Sequence, residues 1–222
     1  MIEIIEWVVK IGGSLFPEQA IAVAEAIKGT NSLIITGGGE FANLIRKYDK
    51  KIKFSNNVTH QTAIETMSIT SKLLNDKLNF TKIVDNLDAA KQTSKNGEIP
   101  ILISSKILDE KDTLEHSWKV SSDSISSYIS YLLKSKLIIT TNVNGIYTRK
   151  PGLKNSIFIN EIDAKKLLSF GESSVDLMLP ELLIKFGLDC FVVNGNFPER
   201  VSSIIKLNKD SHNFRYTYIR GE

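Results

Sequence analysis

The sequence predicts an α/β protein, a doubly wound sandwich around a mostly parallel central sheet. Apolar runs of strand length alternate along the 222 residues with segments that have the 3.6-residue period of a helix. Several runs are almost continuously apolar, as expected for strands buried on both faces of a parallel sheet. Two runs end in glycine clusters, Gly12-Gly13 and Gly37-Gly38-Gly39. A strand, a glycine turn and a helix in succession can offer backbone N–H groups to an anion.

Strands are predicted at the apolar runs that are short enough to be buried in such a sheet. In chain order they lie at 5–11, 32–36, 81–84, 99–103, 136–141, 156–159, 190–193 and 214–219. The stretch 104–121 is polar and irregular, and it is the predicted seam between two lobes.

Helices are predicted between these runs. The first follows Pro17, a favoured first-turn residue. A second follows Gly39, a longer one lies near 58–79, and another ends at Gly187, which suits the position after a helix. The clearest period belongs to Ile125, Tyr128, Ile129, Leu132 and Leu133, which follow the i, i+3, i+4, i+7, i+8 pattern.

Composition excludes several classes of protein. The net charge of +3 is mild and the basic residues are scattered, so we expect no nucleic-acid partner. Cys190 is the only cysteine, and its apolar neighbours predict a buried, inert thiol. His60, His116 and His212 do not fall at metal-ligand spacing. The sequence has no charged leader and no window that approaches a membrane span, so we expect a cytoplasmic protein with no membrane contact.

The motifs of other nucleotide-binding and hydrolytic proteins are missing. The sequence contains no P-loop, no complete G-x-G-x-x-G and no G-x-S-x-G. It does contain Lys10, Gly12, Gly13 and Ser14 at the end of the first predicted strand. Glycine amides approach phosphate oxygens closely, and a lysine beside them adds a mobile charge. A plain strand-to-helix turn with a surface lysine is the alternative.

The second glycine cluster has one more glycine than a tight turn needs. Three successive glycines cost conformational entropy, which suggests that something packs against the bare backbone of Gly37, Gly38 and Gly39. Asn43 and Arg46 are three residues apart on the polar side of the following helix. Both side chains can therefore reach a ligand held at the start of that helix.

Two further segments have both a structural and a functional interpretation. Ser121, Ser122 and Asp123 open the mid-chain helix, either as a simple N-cap or as groups that hold a lysine and contact a substrate. The run from Thr141 to Tyr147 follows a strand. It is either a hairpin or a loop that binds the base and ribose of a nucleotide.

In this order, these segments resemble the amino acid kinase family. Its members share K-x-G-G-S, then G-G-G before a helix, an Asp at a mid-chain helix start, and a T-D-V-D-G-V/I-Y loop. The resemblance extends over nearly the whole chain. It implies a three-layer α/β/α sandwich with a mostly parallel sheet, in which lobe 1–115 binds the acceptor and lobe 116–222 binds ATP. It also implies Mg²⁺ between the ATP phosphates.

The resemblance also implies a role for each matching residue. Lys10 would neutralise the transferring phosphoryl group, with Asp123 orienting Lys10. Gly12, Gly13 and Ser14 would contact its oxygens. The acceptor site would consist of Gly37, Gly38, Gly39, Asn43, Arg46, His60, Trp118, Ser121 and Ser122. The ATP site would consist of Thr141, Asn142, Asn144, Gly145 and Tyr147.

Two departures from the family pattern affect the expected substrate. Asn142 and Asn144 stand where the loop usually has Asp. The stretch 171–178 lacks the lysine of the G-G-M-x-x-K segment found in members that phosphorylate carboxylates. Val175-Asp176 is more similar to the M-D-x-T-A segment of the uridylate kinase branch, whose acceptor is a phosphate.

One branch of the family is more similar, the archaeal aminomethylfuran phosphate kinases of methanofuran biosynthesis. The matches run through Gly37 to Arg46, His60 to Met67, Ser117 to Ile125 and Val175 to Leu183. In this branch His60 and Trp118 would line a pocket for a ring-shaped acceptor. Isopentenyl phosphate kinases match less well, because Ala42-Asn43 replaces their histidine.

The sequence therefore predicts an ATP-dependent kinase that converts a small phosphate monoester to a diphosphate. Aminomethylfuran-methyl phosphate is the first acceptor to consider, with a nucleoside monophosphate or isopentenyl phosphate as the alternative. A non-catalytic nucleotide or anion binder with the same fold is a hypothesis of a different class. The apolar faces of the long helix near 58–79 suit a homo-oligomer contact.

Overall fold

The computed structural model of the chain describes residues 5–111, 113–171, 173–207 and 213–222. The strands are β1 (Trp7–Ile11), β2 (Ser32–Thr36), β3 (Thr81–Val84), β4 (Ile99–Leu102), β5 (Lys136–Thr141), β6 (Ile146–Tyr147), β7 (Phe158–Ile159), β8 (Glu161–Asp163), β9 (Cys190–Asn194) and β10 (Tyr216–Arg220). The helices are α1 (Glu18–Ala26), α2 (Gly39–Lys51), α3 (Asn56–Asp76), α4 (Leu87–Lys95), α5 (Ser104–Lys111), α6 (Ser122–Leu133), α7 (Ala164–Leu168), α8 (Leu179–Phe186) and α9 (Pro198–Leu207).

Eight strands form one sheet in the order β3-β4-β2-β1-β5-β9-β10-β8. Neighbours pair in parallel from β3 to β9, β10 is antiparallel to β9, and β8 pairs in parallel with β10. The chain leaves β1 for β2 on one side and later adds β5 on the other. Parallel sheets bind ligands at the carboxyl ends of strands where the order reverses. The ends of β1 and β5 are therefore the place to look for a site.

Helices cover both faces of this sheet. The side chains of α1 and α9 share one buried cluster with alternate residues of the central strands. Those of α5, α6, α7 and α8 share a second cluster with the other alternate residues. The three layers confirm the predicted α/β/α sandwich.

The alternation along β1 decides where its lysine goes. Trp7, Val9 and Ile11 belong to the cluster with α1 and α9. Val8 belongs to the opposite cluster, against which α6 packs. Because side chains of a strand alternate between faces, Lys10 lies on the face of Val8 and turns toward α6.

The predicted strands and the turn residues agree closely with the structure. Each of the eight predicted runs contains or overlaps a strand, although the run 156–159 is a strand only over Phe158–Ile159. Gly187 ends α8 in the left-handed region with φ of 62°, as predicted. Strands β6 and β8 were not predicted, because runs of two and three residues are too short to show a period of two.

The prediction that the stretch 104–121 is irregular was wrong for part of its length. Its first part is helix α5, which places Leu108 in the buried core. The two predicted lobes share a single sheet that is joined where β1 pairs with β5. Cys190 is a free, buried thiol whose pKa burial raises. Within the described ranges, no helix combines the length and apolar character needed to cross a membrane. His212 lies outside the described residues.

Candidate active site

A buried ion pair stands where β1 meets α6. Lys10 Nζ lies 2.7 Å from Asp123 Oδ1, and both side chains are less than a tenth exposed. Asp123 occupies the first turn of α6, where a negative charge is favoured by the helix dipole. Removing one partner of such a pair leaves a buried charge unpaired, at a typical cost of about 3–5 kcal/mol. The arrangement therefore holds the ammonium group of Lys10 in one position.

The two glycine turns pack directly against each other. The Gly12 N–H donates to the Thr140 carbonyl at 3.0 Å, so the first turn leans on the end of β5. A Cβ atom at Gly13 would overlap the backbone of Gly39, and one at Gly37 would lie 2.7 Å from the Gly13 nitrogen. Gly39 also has φ of 58°, which favours glycine. Backbone-to-backbone contact explains why the second cluster needs more than one glycine.

A cavity of about 450 Å³ opens over these turns, a size typical of a small-molecule site. We call the part around Lys10, Gly12, Gly13 and Asp123 the transfer end. The predicted site residues that line the cavity are Lys10, Gly12, Gly13, Ser14, Gly37, Gly38, Gly39, Asn43, Arg46, His60, Trp118, Ser121, Ser122 and Thr141. The sequence prediction therefore names most of the polar lining. Asp123 lies behind Lys10 rather than in the lining.

Trp118 forms a wall at the other end of the cavity. Its Nε1 donates to Asp49 Oδ2 at 2.8 Å, and the Arg46 guanidinium lies 4.7 Å from the ring centroid. The hydrogen bond from Trp118, followed by that from the Phe54 backbone, lowers the pKa of Asp49. The indole is thus fixed on both its edge and its face. We call Arg46, Asp49, His60 and Trp118 the acceptor end.

His60 is a buried residue of α3 at the same end. Its ring stacks on His116 at 4.4 Å between centroids and 13° between planes. His116 Nδ1 in turn lies 2.8 Å from Asn57 Oδ1. Contacts from α2 and α3 therefore hold the segment with His116 and Trp118, which leads directly into α6.

The predicted nucleotide loop lies mostly beyond the cavity. Thr141 is in the lining, whereas Asn142, Asn144, Gly145 and Tyr147 are not. Asn144 Oδ1 accepts hydrogen bonds from Asn194 Nδ2 at 3.2 Å and Arg200 Nη1 at 2.9 Å. These contacts join the loop after β5 to the end of β9 and to α9. Asn142 is exposed there.

Tyr147 and Gly145 take part in the local structure of this loop. Tyr147 meets Phe158 edge to face across the β6–β7 ribbon, with 5.2 Å between centroids. A Cβ atom at Gly145 would overlap the Thr217 hydroxyl, and the Ile146 N–H donates to that hydroxyl at 2.8 Å. The loop is therefore closed by contacts to β10.

Three acidic residues near the site had no role assigned from the sequence. Glu40 lines the cavity, Asp49 holds Trp118, and Asp176 accepts hydrogen bonds from Ser121 and Ser124 at the start of α6. Asp176 had a signal, because its segment resembles one in the uridylate kinase branch. Asp49 had none, because its contact with Trp118 joins residues 69 positions apart.

A lysine and two glycine turns at the carboxyl ends of parallel strands define a class of protein, the α/β enzymes that transfer a phosphoryl group. Within that class, the chain belongs to the amino acid kinase family, whose model matches residues 6–194. This confirms the family resemblance of the sequence motifs, and the relatives found are kinases.

One relative covers nearly the full chain. The (5-(aminomethyl)furan-3-yl)methyl phosphate kinase of Methanocaldococcus jannaschii is 41% identical over 221 residues, which cover 96% of this chain and 97% of the relative. A uridylate kinase of Methanococcus vannielii is 27% identical, covering 88% and 93%. The solved uridylate kinase of Archaeoglobus fulgidus has the same fold, with a TM-score of 0.72, 17% identity, and 96% and 99% of the chains covered.

Proposed function

We propose that this kinase transfers the γ-phosphoryl group of ATP to the phosphate of (5-(aminomethyl)furan-3-yl)methyl phosphate. The observation that carries the proposal is the single cavity that joins Lys10 and the glycine turns to Arg46 and Trp118. Arg46 Nε is buried and has no hydrogen-bond partner among the described residues. Arg46 also lines the cavity, where its guanidinium would pair with a phosphate on the acceptor. The 41% identity to a kinase of this acceptor supports the choice of substrate.

The reaction needs no general base from the protein. An oxygen of the acceptor phosphate attacks the γ-phosphorus, the bond between that phosphorus and the β–γ bridging oxygen breaks, and ADP leaves with the oxygen. The second pKa of a phosphate monoester is about 6, so the attacking oxygen is already ionised near neutral pH. What the protein must supply is position and positive charge.

The transfer end would supply both. Lys10 would neutralise charge on the transferring group, and the amides of Gly12 and Gly13 would donate to its oxygens, with Ser14 beside them. Asp123 would keep Lys10 in place through the 2.7 Å contact. Gly37, Gly38 and Gly39 would allow the acceptor phosphate to lie close to backbone.

The acceptor end would recognise the furan ring and would also reach the phosphate through Arg46. The furan ring would lie between Trp118 and the face of α3 that contains His60 and Met67, all of which line the cavity. Arg46 and Asn43 would contact the phosphate of the acceptor. Ser121 and Ser122 would contact the part of the acceptor between its phosphate and its ring. Among the described residues, Glu40 is the carboxylate that lines the cavity. Glu40 would pair with the aminomethyl group of the substrate when that group is cationic.

The ATP site is proposed beside the transfer end, in the half of the chain from 116 onward. Thr141 lines the cavity next to Gly12, and Asn142, Asn144, Gly145 and Tyr147 follow it in the loop. No cluster of three metal-ligating side chains occurs in the ranges that the structure describes. Magnesium binds mainly to substrate phosphates and water, so it would arrive with ATP and neutralise phosphate charge. ATP as co-substrate and a lone buried cysteine fit the cytoplasm, the location we propose.

A nucleoside monophosphate is the second candidate acceptor. It is favoured by the 27% identity to an archaeal uridylate kinase over most of both chains. The aromatic wall at Trp118 would also suit a nucleobase. The two acceptors differ at the amine, which a uracil ring lacks.

The test is an ADP-release assay with Mg·ATP and three separate acceptors: the aminomethylfuran phosphate, UMP and isopentenyl phosphate. We expect turnover with the first, and mass spectrometry should find a diphosphate. Preferred turnover with UMP would replace the acceptor and keep the reaction class. Stabilisation of the protein by ATP without turnover of any acceptor would favour a nucleotide-binding protein instead.

We also propose a homo-oligomer that forms through helices α2 and α3. These helices pack on each other, and both have apolar side chains that are more than two-fifths exposed, among them Tyr48 and Leu73. Exposed apolar groups on neighbouring helices suit an interface between copies. Light scattering after size-exclusion chromatography should give a mass that is a multiple of 24.8 kDa, and a monomeric mass would contradict this.

A further inference from the structure

Asp176 lies where two helices begin. Its Oδ2 accepts hydrogen bonds from Ser121 N at 2.9 Å, Ser121 Oγ at 2.7 Å and Ser124 N at 3.0 Å. Its Oδ1 accepts from Ser124 Oγ at 2.6 Å, Met178 N at 3.1 Å and Leu179 N at 2.8 Å. One carboxylate therefore caps the first turn of both α6 and α8.

The same residue also touches the ion pair through its backbone. The Asp176 N–H donates to Asp123 Oδ2 at 3.1 Å, while Asp123 Oδ1 faces Lys10 Nζ at 2.7 Å. Asp123 thus has a hydrogen bond at Oδ2 and an ion-pair contact at Oδ1, and these two contacts fix the plane of its carboxylate. A contiguous path of polar contacts runs from Asp176 through Asp123 to Lys10.

The segment before α8 is attached to the predicted nucleotide loop as well. Ser174 Oγ donates to the Gly145 carbonyl at 2.8 Å. Two residues later in the chain, Asp176 reaches α6. Residues 174–176 therefore connect the loop after β5 to the helix that contains Asp123.

Capping of α6 alone does not require the Asp176 carboxylate to lie beside Asp123. Ser121 already caps α6, since its Oγ accepts from Asp123 N at 3.3 Å. Burial and then the nearby charge of Asp123 raise the pKa of Asp176, against the hydrogen bonds of Ser124 and Ser121, which lower it. A second carboxylate beside Asp123 is electrostatically unfavourable, so its presence calls for a gain elsewhere.

We infer that Asp176 is a positioning residue for phosphoryl transfer, which fixes Asp123 and through it the ammonium of Lys10. The inference rests on the proposed function. Asp176 acts through the start of α6 and does not itself touch a substrate, because it is absent from the cavity lining. Its removal should therefore slow the transfer step more than it weakens ATP binding.

The test is Asp176→Asn, which keeps the size of the side chain and its backbone N–H but replaces one acceptor oxygen by a donor. We expect kcat to fall about 10- to 100-fold, the range found when a partner that orients a functional side chain is lost. KM for Mg·ATP and the Kd of ADP should change less than about threefold, because a residue that acts only by positioning Lys10 for the transfer step affects kcat. Asp163→Asn is the matched control, since Asp163 bonds Arg220 at the sheet edge, and its kcat should be unchanged.

A double-mutant cycle separates positioning from folding. If Asp176 acts through Asp123, then Asp176→Asn should cost little further activity in an Asp123→Asn background. An equal fold-loss in both backgrounds, or an unchanged kcat in the single variant, would overturn the inference. If Asp176→Asn does not fold, Ser124→Ala removes one 2.6 Å bond to the same carboxylate and takes its place.

A crystal structure of the variant gives an answer that does not depend on the reaction. We expect the Asp123 carboxylate to rotate and its contact with Lys10 to lengthen. An ion pair identical to that of the unaltered chain would refute the inference. If the unaltered chain turns over no acceptor, the proposed function fails while this structural comparison still decides the role of Asp176.

Discussion

The transfer end and the acceptor end of the cavity consist of different kinds of chemical group. The transfer end consists of glycine backbone and one buried ion pair, all within a few residues of strand ends or a helix start. The acceptor end consists of side chains from α2, α3 and the segment before α6. Its hydrogen bond between Asp49 and Trp118 joins two residues that are 69 positions apart in the sequence. Phosphoryl transfer requires fixed groups, whereas the acceptor can differ among relatives.

The difference teaches that the two ends should respond differently to substitution. Changes at the transfer end should lower kcat, because the groups there are proposed to act on the transferring phosphoryl. Changes at the acceptor end should raise KM for the acceptor and leave kcat nearly intact.

Lys10→Ala should have the largest effect. It removes the charge that we propose faces the transferring phosphoryl, and it leaves Asp123 buried without its ion-pair partner. We expect kcat to fall about 10²- to 10³-fold, as when one electrostatic stabiliser of a transition state is lost, while ATP binding measured by calorimetry changes far less. Lys28→Ala is the control, since Lys28 is an exposed lysine over Phe80. An unaltered kcat in Lys10→Ala would exclude the proposed role.

Gly13→Ala tests the contact between the glycine turns. Its Cβ atom would overlap the Gly39 backbone, which cannot move without shifting both turns. We expect a loss of about 1–3 kcal/mol of stability by overpacking and a fall of kcat of about tenfold or more. Gly97→Ala is the control for a loss of stability far from the turns, because its φ of 82° strains an alanine while no atom lies near its Cβ position. Equal kcat in the two variants would mean that the turns need not touch for activity.

The transfer end could be predicted from the sequence more fully than the acceptor end, for a physical reason. A position where two backbones pack too closely for a Cβ atom must be glycine, so the sequence itself records that contact. The alternation of side chains along β1 likewise places Lys10 on one face of the sheet. The run 32–36 was predicted to the residue because a strand buried on both faces is continuously apolar. Such signals are local, so a single sequence contains them.

The rest depended on distant contacts. Nothing near Asp49 in the sequence indicates that it will hold Trp118, and the family resemblance of the segment with Asp176 does not indicate that this carboxylate will cap α6. The loop residues Asn144 and Tyr147 were assigned to ATP by resemblance, and their neighbours Arg200 and Phe158 come from later parts of the chain. Pairings of this kind follow from topology, which local patterns do not determine.

Trp118→Ala sharpens the comparison at the acceptor end. Loss of an aromatic wall that contacts a ring costs roughly 0.5–1.5 kcal/mol beyond the lost burial. We therefore expect KM for the acceptor to rise about tenfold, with kcat changed less than about threefold. Tyr131→Ala is the control, because Tyr131 is an exposed aromatic that stacks on Phe186 outside the cavity. A fall in kcat with KM unchanged would assign Trp118 to the transfer step.

The smallest effect concerns pH and the bond between Asp49 and Trp118. The hydrogen bond from Trp118, then that from the Phe54 backbone, lowers the pKa of Asp49 below 3.8. A carboxyl whose folded pKa is lowered contributes stability above its unfolded pKa, and that contribution disappears as the pH falls through the folded pKa. The indole should therefore stay in place from neutral pH down through the ordinary titration range of a carboxyl group and be released only in more acidic solution. Subtracting the fluorescence of Trp118→Phe, in which only Trp7 emits, from that of the unaltered chain isolates the Trp118 signal during an acid titration. A transition of this signal above pH 5, with Trp7 unchanged, would show that Asp49 does not hold the acceptor end together.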